Sequence, residues 1–300
     1  MILGIDIGGT SVKCGIVSHE GEISQVRTFN TAGWVESQGF VESLRVEIGN
    51  YLKDFPAIKG VGMGFPGLLS ADRKRVILMN NIRSVVNSPV VEILNSSYPS
   101  VVFRIENDAK CAALGEHYFG ENKGLDNYLM VTLGTGVGGG VIINKKLFIG
   151  GKGNATEIGH ILASNGKTLE ENVGISHLIK YAVERLSEYP GKSMLKGKEI
   201  TPKVINECAV QGDELSKDIF KHVGFYLGEV MVGVVRTLDL DNILIGGGIS
   251  GAFDFIVPEM RRKMEQHLPA YYTEDLHVAR AVLGNEAGLL GAAGLIIEGI

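Results

Sequence analysis

The sequence predicts an α/β protein with mixed sheets. Short apolar runs alternate with longer stretches of helical spacing along the chain. Each half opens with the same pattern of strand, glycine turn and strand: LGIDIGGTSVKCGIV at residues 3–17 and MVTLGTGVGGGVII at residues 130–143. Glycine, 41 of 300 residues, is about twice as common as the usual ~7% and gathers in clusters, where ligands can approach the backbone closely.

Residues 2–7 are apolar except for Gly4 and Asp6 and read as a buried strand. Gly8, Gly9 and Thr10 turn the chain, residues 12–17 return, and residues 23–29 add a third antiparallel strand. Val41, Leu44, Ile48 and Leu52 have helical spacing, which predicts one helix over 34–52. A buried strand over 60–65 ends at the Pro66-Gly67 turn. Pro89 starts a short helix over 89–94. A strand over 101–105 follows, then a helix over 109–118 opened by Asn107 and stopped by Gly120. The second half begins with strands over 128–133 and 140–144 around a turn over 134–139. The pairing of the two halves suggests duplicated subdomains. Helices are predicted over 175–186, 201–209 (Thr201 as cap, Pro202 in the first turn) and 213–238. A strand over 242–245 runs into Gly246, Gly247 and Gly248, and helices over 253–267 and 286–297 complete the chain.

Composition excludes several classes. Hydrophobic residues at 45% and charged residues at 21% are ordinary for a globular chain. The net charge of −5 argues against general nucleic-acid binding, though a local basic pocket for a phosphorylated ligand is compatible with it. Cys14, Cys111 and Cys208 are scattered and form no CxxC, so neither a disulfide framework nor a cysteine zinc knuckle is expected. The opening MILGIDIGG has no basic n-region, and the apolar stretch 287–297 is too short to span a bilayer. A cytoplasmic protein without membrane partners is the expectation.

Five motifs carry chemistry, each with a plain structural alternative. DIGGTSVK, residues 6–13, puts Asp6 at a strand end, exposes amides in a glycine turn and adds Thr10 and Lys13. Such a turn makes an anion nest, and Asp6 can hold a hydrated Mg²⁺ beside a triphosphate. An ordinary hairpin fits the same residues. LGTGVGGG, residues 133–140, satisfies GxGxxG, but a strand follows where a dinucleotide fingerprint needs a helix. It reads as a second phosphate-binding hairpin, or as a plain glycine-rich one. Gly246 to Gly248, at a strand-to-helix turn, leave room for a flat or anionic group, or serve a tight crossover. In ENDAK, residues 106–110, Asp108 falls in the first turn of a helix and can accept a proton during phosphoryl transfer; helix capping explains the pair equally. EIGH, with Glu157 and His160, and Glu170 beyond it suit a polyol. With HExxH absent and no cysteine nearby, zinc is not expected there.

The order DIGGTSVK, GFPG, ENDAK, LGTGVGGG, EIGH, GGGIS resembles the ROK family of sugar kinases and related repressors, over residues 2–294. The resemblance implies an actin-like (ribonuclease H-like) ATPase fold, with two duplicated α/β lobes around a cleft. It places the smaller lobe at 1–108 plus 284–300 and the larger at 109–283. It implies ATP-dependent phosphorylation of a hexose, most simply glucose to glucose 6-phosphate. An N-acylhexosamine kinase or a fructokinase is the close alternative, and a non-catalytic sugar sensor the alternative from another class.

By the same resemblance Asp108 is the catalytic base. Asp6, Gly8, Gly9, Thr10 and Lys13, with Gly134, Thr135 and Gly136, hold the ATP phosphates, with Mg²⁺ near Asp6. Gly246, Gly247 and Gly248 face the adenosine. Gly67, Asn81, Asn107, Asp108, Glu157, His160 and Glu170 bind the sugar. Family members commonly carry a zinc-binding CxCGxxGCxE after the histidine; here residues 161–170 read ILASNGKTLE, so no zinc is expected and only the glutamate is kept. Without that clip the loop is either mobile or held by its own shortness. Lys110 stands where the family often has Asn. The first strand begins at Ile2, leaving no room for the repressors' helix-turn-helix, so DNA is not an expected partner. Family members are often dimers, and a homodimer is an expectation carried by the resemblance alone.

Overall fold

Strand β1 (Ile2–Ile7) is buried along almost its whole length, as its apolar run dictates. β2 (Ser11–Val17) returns beside it in a register that sets Lys13 opposite Asp6, and β3 (Ile23–Asn30) is the mostly exposed outer strand. The computed structural model describes residues 1–121 and 123–299; Asn122 and Ile300, which fall inside the expected lobe ranges, lie outside it.

The single helix expected over 34–52 is two helices, α1 (Thr31–Ser37) and α2 (Phe40–Asp54). Gly39 between them has φ +92°, a left-handed conformation that no α-helix contains. Asn30 starts α1 early, its Oδ1 accepting the N–H of Gly33 at 3.0 Å. β4 (Gly60–Phe65) then pairs parallel with β1. A small hairpin, β5 (Leu68–Leu69) and β6 (Val76–Leu78), precedes α3 (Val90–Ser97), β7 (Val102–Asn107) and α4 (Asp108–Phe119). The first sheet has the order β3-β2-β1-β4-β7.

The second half begins with β8 (Tyr128–Leu133) and β9 (Val137–Ile143), joined by the turn Gly134 to Gly136. That turn is shorter than expected, because Gly138 to Gly140 stay extended within β9. β10 (Lys146–Leu147) pairs antiparallel with the far end of β9. Later in the chain come α5 (Leu169–Val173), α6 (Ile175–Glu188), α7 (Pro202–Val210), α8 (Glu214–Leu238), β11 (Asn242–Gly246), α9 (Phe253–Glu265), β12 (His277–Arg280) and α10 (Ala287–Glu298). Thr201 and Asp213 cap α7 and α8 through bonds to Val204 N–H and Ser216 N–H. The second sheet runs β10-β9-β8-β11-β12. Each sheet thus has a glycine-turned hairpin followed by two strands added in parallel, the duplication expected from the two motifs.

The chain divides into two compact units. The first holds Met1–Asp126, Gly140–Thr156 and Val282–Ile300; the second holds Asn127–Gly139 and Glu157–Ala281. Helix α4, expected in the larger lobe, packs in the first unit, and glycines explain why. A Cβ on Gly291 of α10 would lie 1.5 Å from the Cys111 carbonyl oxygen of α4, and one on Gly115 would lie 2.4 Å from that of Ala287. A Cβ on Gly62 of β4 would lie 1.7 Å from the Ala292 carbonyl oxygen. Backbone therefore meets backbone, and α4, α10 and β4 form one layer interface. In the second unit Gly224 and Gly228 bring α8 close to α9, where a Cβ would lie 2.3 Å from the Ile256 and 2.5 Å from the Met260 carbonyl oxygen. No helix among the described residues is long and apolar enough to cross a membrane.

Candidate functional site

In the first unit, strand register does the positioning. Asp6 pairs with Gly64 on β4, and Gly64 pairs with Glu106 on β7. Three parallel strands therefore end on one edge, carrying Asp6, then Gly64 and Phe65, then Glu106 and Asn107. At about 4.8 Å per strand, Asp6 and Glu106 are roughly 10 Å apart across the sheet. In open α/β sheets, ligands gather beyond this edge.

The turn after β1 is tight: Gly8 N–H donates to Ser11 O at 2.8 Å, and the Thr31 hydroxyl donates to Gly8 O at 2.9 Å. Asp6 is partly enclosed. Burial pushes its carboxyl above the usual range, and Lys13 opposite it pulls the other way. A Cβ on Gly288 would stand 2.7 Å from the Asp6 carboxyl carbon, so this glycine keeps the carboxylate uncovered. Asn81, expected to serve the sugar, lies against the glycine turn: a Cβ on Gly9 would be 2.4 Å from its Nδ2.

Asn107 ends β7 and caps α4, its Oδ1 accepting the N–H groups of Ala109 at 3.0 Å and Lys110 at 3.2 Å. Its Nδ2 donates to Gly67 O at 3.2 Å. The capping reading of ENDAK thus holds for Asn107. Asp108 follows as the first helical residue, half-buried, with Oδ1 accepting the N–H of Ala109 at 2.9 Å. Gly67 has φ +124°, and a Cβ there would strike the Leu78 carbonyl oxygen at 2.0 Å. The first unit therefore gathers Asp6, Gly8, Gly9, Thr10, Lys13, Gly67, Asn81, Asn107 and Asp108 along one sheet edge and its turns.

The second unit gathers the rest. Gly134 N–H donates to Gly136 O at 2.9 Å, closing its glycine turn, and the start of α6 is tied to it by Ile175 N–H donating to Gly134 O at 3.0 Å. Gly247, with φ +86°, lies on β8: a Cβ would be 2.4 Å from the Leu133 carbonyl oxygen. A Cβ on Gly248 would meet no described atom within 4 Å. The Gly246 to Gly248 loop thus adjoins the Gly134 to Gly136 turn and offers an open backbone surface.

Glu157 and His160 flank the short helical turn Ile158–His160, with His160 exposed. That turn presses on β9, because a Cβ on Gly159 would lie 2.1 Å from the Val137 carbonyl oxygen. Glu170 sits in the first turn of α5, and its Oε2 accepts the Val137 N–H at 2.9 Å. EIGH and Glu170 therefore meet at one residue, directly after the glycine turn.

The cysteine-free loop between them is firmly bonded. Ala163 N–H donates to Lys167 O at 2.8 Å and Leu169 N–H to Ile161 O at 2.9 Å. Asn165 Nδ2 donates to Asn172 Oδ1 at 2.8 Å and to the Tyr226 hydroxyl at 3.0 Å, and Ser164 N–H donates to Glu229 at 3.1 Å. Thr168 and Glu171 form a capping box at the start of α5. Among the described residues, no group of three or more His, Cys, Asp or Glu is placed to hold a metal ion.

Sequence reasoning missed Arg73, which donates to Glu106 and to the Gly153 carbonyl, and Asn154, which bonds the backbone of Leu69.

Two glycine-turned hairpins on duplicated sheets, with a carboxylate starting the helix after the third parallel strand, define the class of actin-like ATP-dependent sugar kinases. The chain belongs to the ROK family, whose model matches residues 2–298. It is 31% identical to a glucokinase of Streptomyces coelicolor, over 99% of this chain and 98% of that one. A solved candidate sugar kinase from Cytophaga hutchinsonii is 57% identical, covers 99% of both chains and superposes with a TM-score of 0.96. A ROK family glucokinase from Streptomyces griseus, solved with glucose and AMPPNP, is 29% identical over 98% of both chains, with a TM-score of 0.81.

Proposed function

We propose that the protein transfers the γ-phosphoryl group of ATP to a hexose hydroxyl, most simply to O6 of glucose. The observation that carries this is Asp108 at the start of α4, beside the capping Asn107 and on the sheet edge that carries Asp6.

In this reading Asp108 orients the sugar hydroxyl and takes its proton. The hydroxyl oxygen forms the new bond to the γ-phosphorus, the bond to the β–γ bridging oxygen breaks, and ADP leaves. Asn107 fixes the sugar with its side chain, together with Gly67. Glu157, His160 and Glu170 are assigned to the other sugar hydroxyls. Gly8, Gly9 and Thr10, and Gly134, Thr135 and Gly136, present amides and hydroxyls to the phosphates, Lys13 adds positive charge, and Gly246 to Gly248 face the adenosine. Asn81, lying on Gly9, is suited to align the sugar with the phosphates.

Asp6 fits a magnesium ion: it ends a strand, faces Lys13 and is left uncovered by Gly288. Bound with the triphosphate, Mg²⁺ neutralises β- and γ-phosphate charge. The sequence positions of the family's cysteine ligands hold none here, so the proposal includes no zinc. A cytoplasmic, homodimeric enzyme belongs to the same proposal.

The test is ADP release with MgATP against glucose, mannose, fructose, N-acetylglucosamine and N-acetylmannosamine. Turnover with glucose well above the rest supports the reading. Preference for an N-acylhexosamine or for fructose moves the substrate and keeps the reaction. Silence with all five, while calorimetry detects sugar binding, overturns it in favour of a sensor.

A further inference from the structure

Lys110 is 0% exposed. A buried ammonium is costly unless it is paired and hydrogen-bonded. Its Nζ donates to Gly153 O at 3.1 Å and lies 3.9 Å from Glu106 Oε1. Arg73 arrives from the loop between β5 and β6. Its Nε donates to Glu106 Oε2 at 2.8 Å, Nη1 donates to Ser70 O at 3.2 Å, and Nη2 donates to the same Gly153 oxygen. Two cations from separate elements therefore converge on one carboxylate and one backbone carbonyl.

Position 153 is built for this. Gly153 has φ +85°, and a Cβ there would meet the Arg73 guanidinium at 2.4 Å. The next residue extends the link: Asn154 Oδ1 accepts the Leu69 N–H at 3.0 Å, and its Nδ2 donates to Leu69 O at 2.7 Å. Two residues back along that hairpin, Gly67 O accepts from Asn107 Nδ2. Asn107 N–H in turn donates to Glu106 Oε1 at 2.8 Å. The bonds close a ring through the end of β7, the β5–β6 hairpin, the loop around Gly153 and α4, all within the first unit.

We infer that Lys110 and Arg73 are positioning residues for the sugar. By clamping Gly153 and Glu106 they hold Asn154, Leu69 and Gly67 in place, and so fix the Asn107 side chain. Neither acts on the reacting atoms. The inference rests on the sugar-kinase reading for its consequence, while the ring itself can be tested without activity.

Two variants break the ring at different points: Lys110→Met removes the buried cation, and Asn154→Ala removes both bonds to Leu69 without disturbing a buried charge. The first readout is hydrogen exchange at the Leu69 amide, which needs no substrate. It should accelerate in both folded variants; unchanged exchange in Asn154→Ala overturns the ring. The second readout is steady-state kinetics on whichever sugar the wild type phosphorylates. Sugar KM should rise about tenfold in each variant, with KM for ATP within about twofold, and the double variant should be no worse than the worse single one. Faster exchange with an unchanged sugar KM overturns the positioning role. A wild type inactive on every sugar overturns the kinase reading, and the exchange data still decide the ring.

Discussion

The Glu170 carboxylate accepts a hydrogen bond from the Val137 backbone N–H at 2.9 Å. Val137 is the first residue after the glycine turn, and Gly159 of the EIGH segment lies against its carbonyl. One peptide segment therefore joins three motifs that are spread over 33 positions of the sequence, from Val137 to Glu170. A group assigned to the sugar is thereby bonded to a hairpin assigned to the phosphates.

With the sugar contact proposed for it, Glu170 has two separable roles. A carboxylate acceptor of a backbone N–H contributes about 1.5–3 kcal/mol. Glu170→Gln keeps an acceptor oxygen, so the hairpin should hold while sugar binding weakens. Glu170→Ala removes both, and Val137 N–H loses its partner. Expected for Gln is a rise in sugar KM of roughly tenfold with KM for ATP nearly unchanged; for Ala both constants should rise. Equal effects of the two variants on ATP KM would show that the hydrogen bond does not support the hairpin.

Asp108 is bonded through Oδ1 to Ala109 N–H, and an asparagine oxygen can accept the same bond. Asp108→Asn should therefore fold and bind sugar within a few-fold of wild type. In the proposed reaction it lacks the proton acceptor, so kcat should drop by about 10²–10⁴. Single-turnover assays with sugar calorimetry check both halves. Near-normal turnover would remove Asp108 as the base.

Much of this arrangement was legible in the sequence. The first glycine hairpin and strands β4, β8 and β11 stand close to where periodicity put them, because their apolar runs are short and bounded by turns. The break between α1 and α2 was not: the helical spacing of Val41, Leu44, Ile48 and Leu52 lies wholly beyond Gly39, and the φ of +92° at Gly39 separates it from the turns before it. β12 was missed because HVAR is short, alternates little and is fixed as a strand by pairing with β11. Placing α4 in the first unit required knowing that Gly115 and Gly291 meet, a contact between residues 176 positions apart (291 − 115). The Arg73–Glu106–Lys110 cluster was hidden for the same reason: local pattern carries no information about which distant loop supplies a partner.

The glycine contacts between α4 and α10 give a stability prediction. A methyl on Gly291 would sit 1.5 Å from the Cys111 carbonyl oxygen, with backbone on both sides. Neither helix can yield without moving the sheet beneath, so Gly291→Ala should cost about 3 kcal/mol or more, at or beyond the top of the usual overpacking range. Gly248→Ala, with no described atom within 4 Å of its Cβ, is the control and should leave the melting temperature nearly unchanged. At a few degrees per kcal/mol, Gly291→Ala should melt roughly 5–10 °C lower. Equal melting of the two variants would mean that α10 shifts freely.

His222 gives the pH dependence a sign. Its ring stacks on Tyr181 with centroids 3.8 Å apart, meets Tyr226 edge-on, and lies with Nε2 3.2 Å from Asn172 O. Burial lowers its pKa below the ordinary 6.5; the bond to Asn172 O opposes this, and Lys167 adds a small push in the same direction as burial. Between the lowered value and 6.5 the unfolded chain binds more protons than the folded one, so stability rises with pH across that window. The full contribution is present above 6.5 and is lost as the pH falls below it. His117, also lowered by burial, acts in the same sense in the first unit. Thermal denaturation at pH 7.5 and pH 5.5 should therefore give a lower melting temperature in acid. His222→Gln, which does not titrate, should show a smaller acid drop than wild type, with the residual drop carried by His117. An identical drop in both proteins would place the acid sensitivity elsewhere and would mean that the Tyr181–His222–Tyr226 stack tolerates the charged ring.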